Sequence, residues 1–247
     1  MTTFEEAMAH AADVDGWMTP DQGRRLFAAA ARCRPDGRIV EIGSFRGRST
    51  IVLAAGAAEG VEVVAIDPHA GNDRGPEEIS GFTDEAAADR DAFRTNLERA
   101  GVAARVRHVA AFSTDAHGDV EDPIDVLYID GAHRYGPASD DVHEWGGRVM
   151  DGGTLLIHDA FSSIGVTGAV GRHLVFGSRF RYVGRTRSLV EYRADLPGSG
   201  VGRVRNAVAQ LAQLGWFVRN VGLKVGLKLG YGRLATRLGR PLPEWPY

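Results

Sequence analysis

Short apolar runs rich in β-branched residues recur along the chain, each followed by a stretch with apolar residues at helical spacing. Strands are predicted at 38–43 (RIVEIG), 62–67 (EVVAID), 105–111 (RVRHVAA), 124–130 (IDVLYID) and 153–159 (GTLLIHD). Helical stretches lie between them, among them STIVLAAGAA, EAAADRDAFRTNLERAG and ASDDVHEWGGRVM. Strand and helix in alternation predict a doubly wound, Rossmann-like α/β sheet, mostly parallel and covered on both faces. After Phe161 a short helix leads to RFRYVGRTRSLVEYR, where Gly184-Arg185-Thr186 separates two alternating segments. This reads as an antiparallel terminal hairpin that brings the sheet to seven strands. Ahead of the first strand, Thr19 and Pro20 open a capped helix, so residues 1–34 form a helical cap on a domain spanning 1–195.

The last segment, 196–247, has a different pattern. Its apolar residues fall at 204, 208, 211, 214, 218, 221 and 225, one helical stripe with Arg205, Gln213, Arg219 and Lys224 largely off it. Charge separates it further: eight basic residues stand there against one acid, while the preceding 195 residues hold 21 bases and 31 acids. An acidic main domain argues against nucleic acid as a partner. Three readings of the extension stay open: a stripe docked on the domain or on a second subunit, as in a homodimer, a peripheral membrane contact, or a polyanion contact. The single cysteine, Cys33, excludes an internal disulfide, and no secretory signal or membrane-spanning run is visible, so a cytoplasmic location is expected.

The predicted strand ends carry the chemistry. The loop EIGSFRGRS follows the first strand and opens a helix, with Gly43 and Gly47 to admit a ligand near the backbone and the hydroxyls of Ser44 and Ser49 beside it. It lacks the G-x-G-x-x-G of a dinucleotide site. Glu41 would repel a pyrophosphate and suits a ligand that carries positive charge. Asp67 ends the second strand, where an acid accepts hydrogen bonds from ribose hydroxyls. Asp130 and Asp159 end the fourth and fifth strands, neighbours whose carboxylates suit a hard divalent cation such as Mg²⁺, with His158 as a third contact. His133, three residues past Asp130, is placed as a general base.

Together these positions resemble the class I S-adenosylmethionine-dependent methyltransferases over about residues 35–195. The resemblance implies S-adenosylmethionine as cofactor, with Glu41, Gly43 and Asp67 at its amino-acid and ribose ends and Phe112 and Ser113 beside its adenine. The D-x-x-H of Asp130 and His133, with a second Asp 29 residues on, is similar to the metal-dependent sugar O-methyltransferases of the macrocin type. That group usually has a Glu ligand where this chain has His158, and catechol-type enzymes have an Asn where it has Ala160. The resemblance implies a small-molecule or oligosaccharide acceptor. A nicotinamide-dependent oxidoreductase and a non-enzymatic membrane-surface adaptor are the alternative readings.

Other residues carry less. His69 and Asn72 open a long loop (68–85) that could wall a substrate site. Trp17 and Met18 read as packing or as a lid, and His143 as a surface or packing histidine.

Overall fold

The computed structural model describes residues 2–70 and 83–228. Seven strands form one sheet: β1 (Arg38–Ile42), β2 (Glu62–Ile66), β3 (Val106–Val109), β4 (Ile124–Ile129), β5 (Val149–Ile157), β6 (Arg181–Thr186) and β7 (Leu189–Arg193). Their order is β3-β2-β1-β4-β5-β7-β6, and every pair is parallel except β5–β7 and β6–β7. The predicted mostly parallel sheet with its antiparallel terminal hairpin is therefore what the chain forms. The eight helices among the described residues are α1 (Phe4–Ala11), α2 (Pro20–Ala30), α3 (Arg48–Gly56), α4 (Thr83–Arg99), α5 (Tyr135–Asp140), α6 (Ile164–Val170), α7 (Gly200–Leu211) and α8 (Leu214–Lys228).

Period-two alternation sorts the strand side chains into two cores. Val40, Ile42, Val64, Ile66, Leu127, Ile129, Leu155 and Ile157 join one, with Val142, Trp145, Val166 and Val170 from the α5–α6 side. Ile39, Val63, Ala65, Val126, Tyr128 and Leu156 join the other, under α1–α4. Both N-terminal helices carry reciprocal caps, Thr3 with Glu6 and Thr19 with Gln22, which satisfy donors at their first turns. Arg25 in α2 and Arg32 just past its end each reach Glu191 at 2.6 Å, pinning this part of the chain to β7.

The hairpin turn lies further along than its sequence implies. Gly184 falls within β6, where the register against β7 shifts, and the chain reverses at Arg187 and Ser188 instead. Arg187 takes a left-handed conformation (φ 53°), so a non-glycine residue occupies the position that the predicted turn reserved for Gly184. The long loop after β2, including Asn72, lies outside the described residues apart from its first and last few positions.

The C-terminal stripe is the larger correction. Two helices replace one, and they dock on the domain by a side that joins polar residues to Ala207, Trp216 and Phe217, which pack on the core. Asn206 accepts from the Tyr182 amide (2.7 Å) and donates to Phe180 O (3.0 Å), and Gln210 accepts from the Tyr192 hydroxyl (2.9 Å). Asn220 donates to Phe161 O (3.0 Å) and Lys224 to Ser162 O (2.9 Å). Val204, Val208, Leu211, Leu214, Val218 and Val225 are exposed, so the stripe does not dock on its own domain.

Candidate active site

The parallel strands deliver their carboxyl ends to one edge. Backbone bonds continue the ladder just past them: Gly43 N donates to Ile66 O (2.9 Å), Asp130 N to Ile42 O (2.8 Å) and His158 N to Ile129 O (2.9 Å). At this edge lies a cavity of about 410 Å³, walled by the loops after β1, β2, β3 and β4 and by Trp17 from the N-terminal cap. Its wall carries five aspartates (15, 67, 89, 130 and 141) against Arg48 and Arg134, a balance that favours a cationic ligand over a polyphosphate.

The loop after β1 is built around its glycines. At Gly43 (φ 86°) a Cβ would come within 2.3 Å of Asp130 O, so this glycine lets β1 and β4 close together at the edge. That is a packing reason, where the sequence argued for ligand approach. Gly47, left-handed at φ 88°, opens α3, whose first amides are free of side-chain caps. Ser44 and Ser49 both line the cavity, and Ser44 Oγ is buried without a hydrogen-bond partner.

Glu41 does not line the cavity. It shares a strand face with Ile39, turned toward α3, and accepts from the Ser49 and Thr50 hydroxyls. Complete burial raises its pKa to about 8, over the opposing hydrogen bonds. It anchors the first turn of α3 beneath the loop. Because the folded carboxyl keeps a proton that the unfolded chain releases between about pH 4.5 and 8, stability should fall across that window and level off above it. Glu41→Gln removes this titration. Thermal unfolding across the window should show the variant gaining on the wild type as pH rises, and a constant difference would mean that burial does not govern this group.

Asp67 is on the wall, with one oxygen accepting from the Phe45 amide (2.7 Å) and the other from His69 (2.8 Å). His69 is buried, its Nε2 2.7 Å from Phe45 O, and it packs against Phe93 and His108. It joins the loops after β1 and β2 and lines the cavity, as the sequence expected of the start of this loop. Phe112 stands half exposed on the rim with Ser113 beside it. Trp17 packs on Phe45 (5.3 Å between rings) and closes one side, while Met18 is a core residue that also reaches the wall. His143 is exposed and stacks on His173.

At the β4–β5 end, Asp130, His133 and Asp159 offer ligand atoms that all lie within 4.8 Å of one another. His133 Nε2 is 3.0 Å from Asp159 Oδ2. The Tyr128 hydroxyl donates to Asp130 Oδ2 at 3.0 Å, leaving Oδ1 buried without a hydrogen bond. His158 lies beneath, its side chain 1% exposed, with Nδ1 3.2 Å from Asp130 and 3.3 Å from Asp159 but misaligned for hydrogen bonds. Burial pushes its pKa down, yet the two carboxylates overcome this and lift it to about 10. His158 lies beneath the aspartates and is not grouped with the three outer ligand atoms. Asp159 stays well below the usual carboxylate range: burial opposes ionisation, and the His158 charge and the His133 hydrogen bond outweigh it.

The support for His133 comes partly from glycine. At Gly165, near the start of α6, a Cβ would meet His133 O at 2.2 Å and Tyr135 N at 2.7 Å. Gly165→Ala should cost about 1–3 kcal/mol through overpacking. It should also slow turnover by shifting the His133 loop, which denaturant unfolding and steady-state rates would measure. Asp141 is a wall residue that the sequence hides. It opens a π-helical turn after α5, is 3% exposed, and burial pushes its carboxyl up to about 6. In ASDDVHEW it looks like part of a solvated helix face, and only the widened turn brings it to the cavity.

Residues 40–160, which include the cavity loops and both aspartates, match the family model of a methyltransferase domain. Among solved structures, the O-methyltransferase NovP superposes with a TM-score of 0.58 at 18% identity, covering 71% of this chain and 80% of its own. The O-methyltransferase TomG from Streptomyces achromogenes, in complex with SAM, gives 0.51 at 19%, covering 78% and 90%. An O-methyltransferase from Bacillus cereus, in complex with SAH, gives 0.50 at 20%, covering 77% and 90%. At these identities the structural likeness establishes the fold, and the domain match places the chemistry on it. Residues 40–160 thus carry a methyltransferase domain, and the chain is an S-adenosylmethionine-dependent methyltransferase.

Proposed function

We propose that the enzyme moves a methyl group from S-adenosylmethionine to a hydroxyl oxygen of a sugar or oligosaccharide, with a divalent cation such as Mg²⁺ at the β4–β5 edge. The observation that carries this reading is the convergence of Asp130, His133 and Asp159 beside the aspartate-lined cavity. The donor set fits a hard cation: two carboxylates, with Asp130 Oδ1 buried and lacking a hydrogen bond. Asp130 and Asp159 would hold the ion, which when bound lowers the cost of forming an alkoxide from the acceptor.

The protein's own groups do the rest. Asp67 and the Ser44–Ser49 loop bind the methyl donor, and Phe112 and Ser113 flank its base. In the tautomer that donates Nε2–H to Asp159, the Nδ1 of His133 is the nitrogen that takes up a proton. The acceptor oxygen attacks the methyl carbon in line, the carbon–sulfur bond breaks, and the hydroxyl proton passes to His133. The sulfonium leaves as the neutral thioether of S-adenosylhomocysteine. Carboxylates around the donor favour its charged form before the transfer.

The sugar class rests on the likeness of the D-x-x-H pattern to macrocin-type enzymes, and the 1-hydroxyl of a methylmannoside is the first acceptor to try. The decisive experiment screens sugar and oligosaccharide acceptors with labelled methyl donor, with and without EDTA. Transfer to a sugar that chelator abolishes and Mg²⁺ restores supports the whole reading. Full activity in chelator removes the cation, and transfer only to aromatic hydroxyls removes the sugar. S-adenosylhomocysteine should raise the melting temperature where NAD does not.

A further inference from the structure

The exposed face of α7 and α8 is the feature that methyl transfer leaves unexplained. Amphipathic helices ordinarily bury most of their apolar side, yet here amides, a lysine, Ala207, Trp216 and Phe217 make the docking contacts while a row of valines and leucines meets water. Val204, Val208, Leu211, Leu214, Val218 and Val225 are each at least 42% exposed. Their three-and-four spacing runs through the break between the helices.

Charge identifies the occupant. From Gly200 to Lys228 the chain contains no Asp or Glu, although the protein as a whole has more acids than bases. Arg203, Arg205 and Arg219 are exposed, and none has a carboxylate within ion-pair distance among the described residues. A second copy placed face to face would bring the same arginines together with no acid on either pair of helices, an arrangement that like-charge repulsion opposes. An anionic surface with an apolar interior satisfies both halves of the face. No described helix is long and apolar enough to cross a membrane, so the contact would lie along the surface.

We propose that α7 and α8 form a docking face for an anionic lipid surface, with the exposed valines and leucines entering the interface and the arginines meeting lipid phosphates. The helices also carry this contact toward the reaction edge, because Asn220 and Lys224 hold the backbone of residues 161–162, directly after Asp159.

Full-length protein mixed with vesicles of phosphatidylcholine, or of phosphatidylcholine with phosphatidylglycerol, tests the proposal by flotation. Binding to the anionic vesicles is expected, with little to the neutral ones. The double variant Val208→Glu, Val218→Glu should lose that binding by about tenfold or more while melting at the wild-type temperature, since both side chains already face water. Failure of the wild type to float with anionic vesicles overturns the proposal. Vesicle binding that the double variant retains also overturns it, because binding is then purely electrostatic. A dimer in sedimentation velocity that the double variant dissociates assigns the face to a second copy instead. None of these outcomes depends on the acceptor, so a failed acceptor screen leaves this test intact.

Discussion

Asp159→Asn should lower the methyl-transfer rate by about 10³-fold or more, on the order of the several kcal/mol that a bound cation supplies to a developing oxyanion. Asparagine is the informative replacement because Asp159 sits at φ 54°, a left-handed conformation that asparagine tolerates and alanine resists. The amide keeps a hydrogen-bond acceptor for His133 Nε2 and removes the charge that a cation requires. Asp130→Asn should act in the same direction, since it shares His158 and the same edge. Manganese binding followed by electron paramagnetic resonance should weaken in both variants, while S-adenosylhomocysteine affinity stays near wild type in the Asp159 variant, whose side chain is absent from the cavity wall. Rates within a few-fold of wild type in both would remove the paired carboxylates from the mechanism.

His133→Ala is expected to lower the maximal rate by about 10²-fold or more, the contribution of a positioned general base. Donor affinity should change little, because His133 is absent from the wall of the large cavity that Asp67 and Phe112 share. The grouping of His133 with the two carboxylates favours a second role, that of a third cation ligand. Manganese affinity separates the two. A base leaves it near wild type while turnover falls, and a ligand lowers affinity and turnover together. Near-normal turnover with unchanged affinity would leave His133 as a loop residue that only shapes the turn.

The sheet and its reacting edge were legible because each parallel strand is an apolar run closed by a chemically distinct residue. Strand order then follows from the alternation of elements, and it makes β4 and β5 neighbours. What escaped depended on direction. Glu41 sits one residue before the loop, but strand parity turns it under α3, and parity relative to a covering helix is invisible before the layers are known. The β6–β7 reversal moved because Gly184 is used for a register shift inside the strand. The sequence puts His158 next to Asp159, whereas alternation places its side chain below the carboxylates and apart from the outer group of ligand atoms. The C-terminal stripe had the right residues and the wrong side, since three side-chain amides and a lysine found backbone and hydroxyl partners on the domain that valines cannot use.

The latch of Asn220 and Lys224 on residues 161–162 has a consequence for the order in which the protein is made. Every residue of the cavity wall and both aspartates leave the ribosome before α8 does, so a nascent chain can pair all seven strands while the turn after Asp159 is still unheld. The edge beside Asp159 is thus completed only after every strand and both aspartates have been made. Chains clipped before residue 220 should fold their sheet and bind donor yet methylate poorly, which limited proteolysis followed by donor-binding and rate measurements would check.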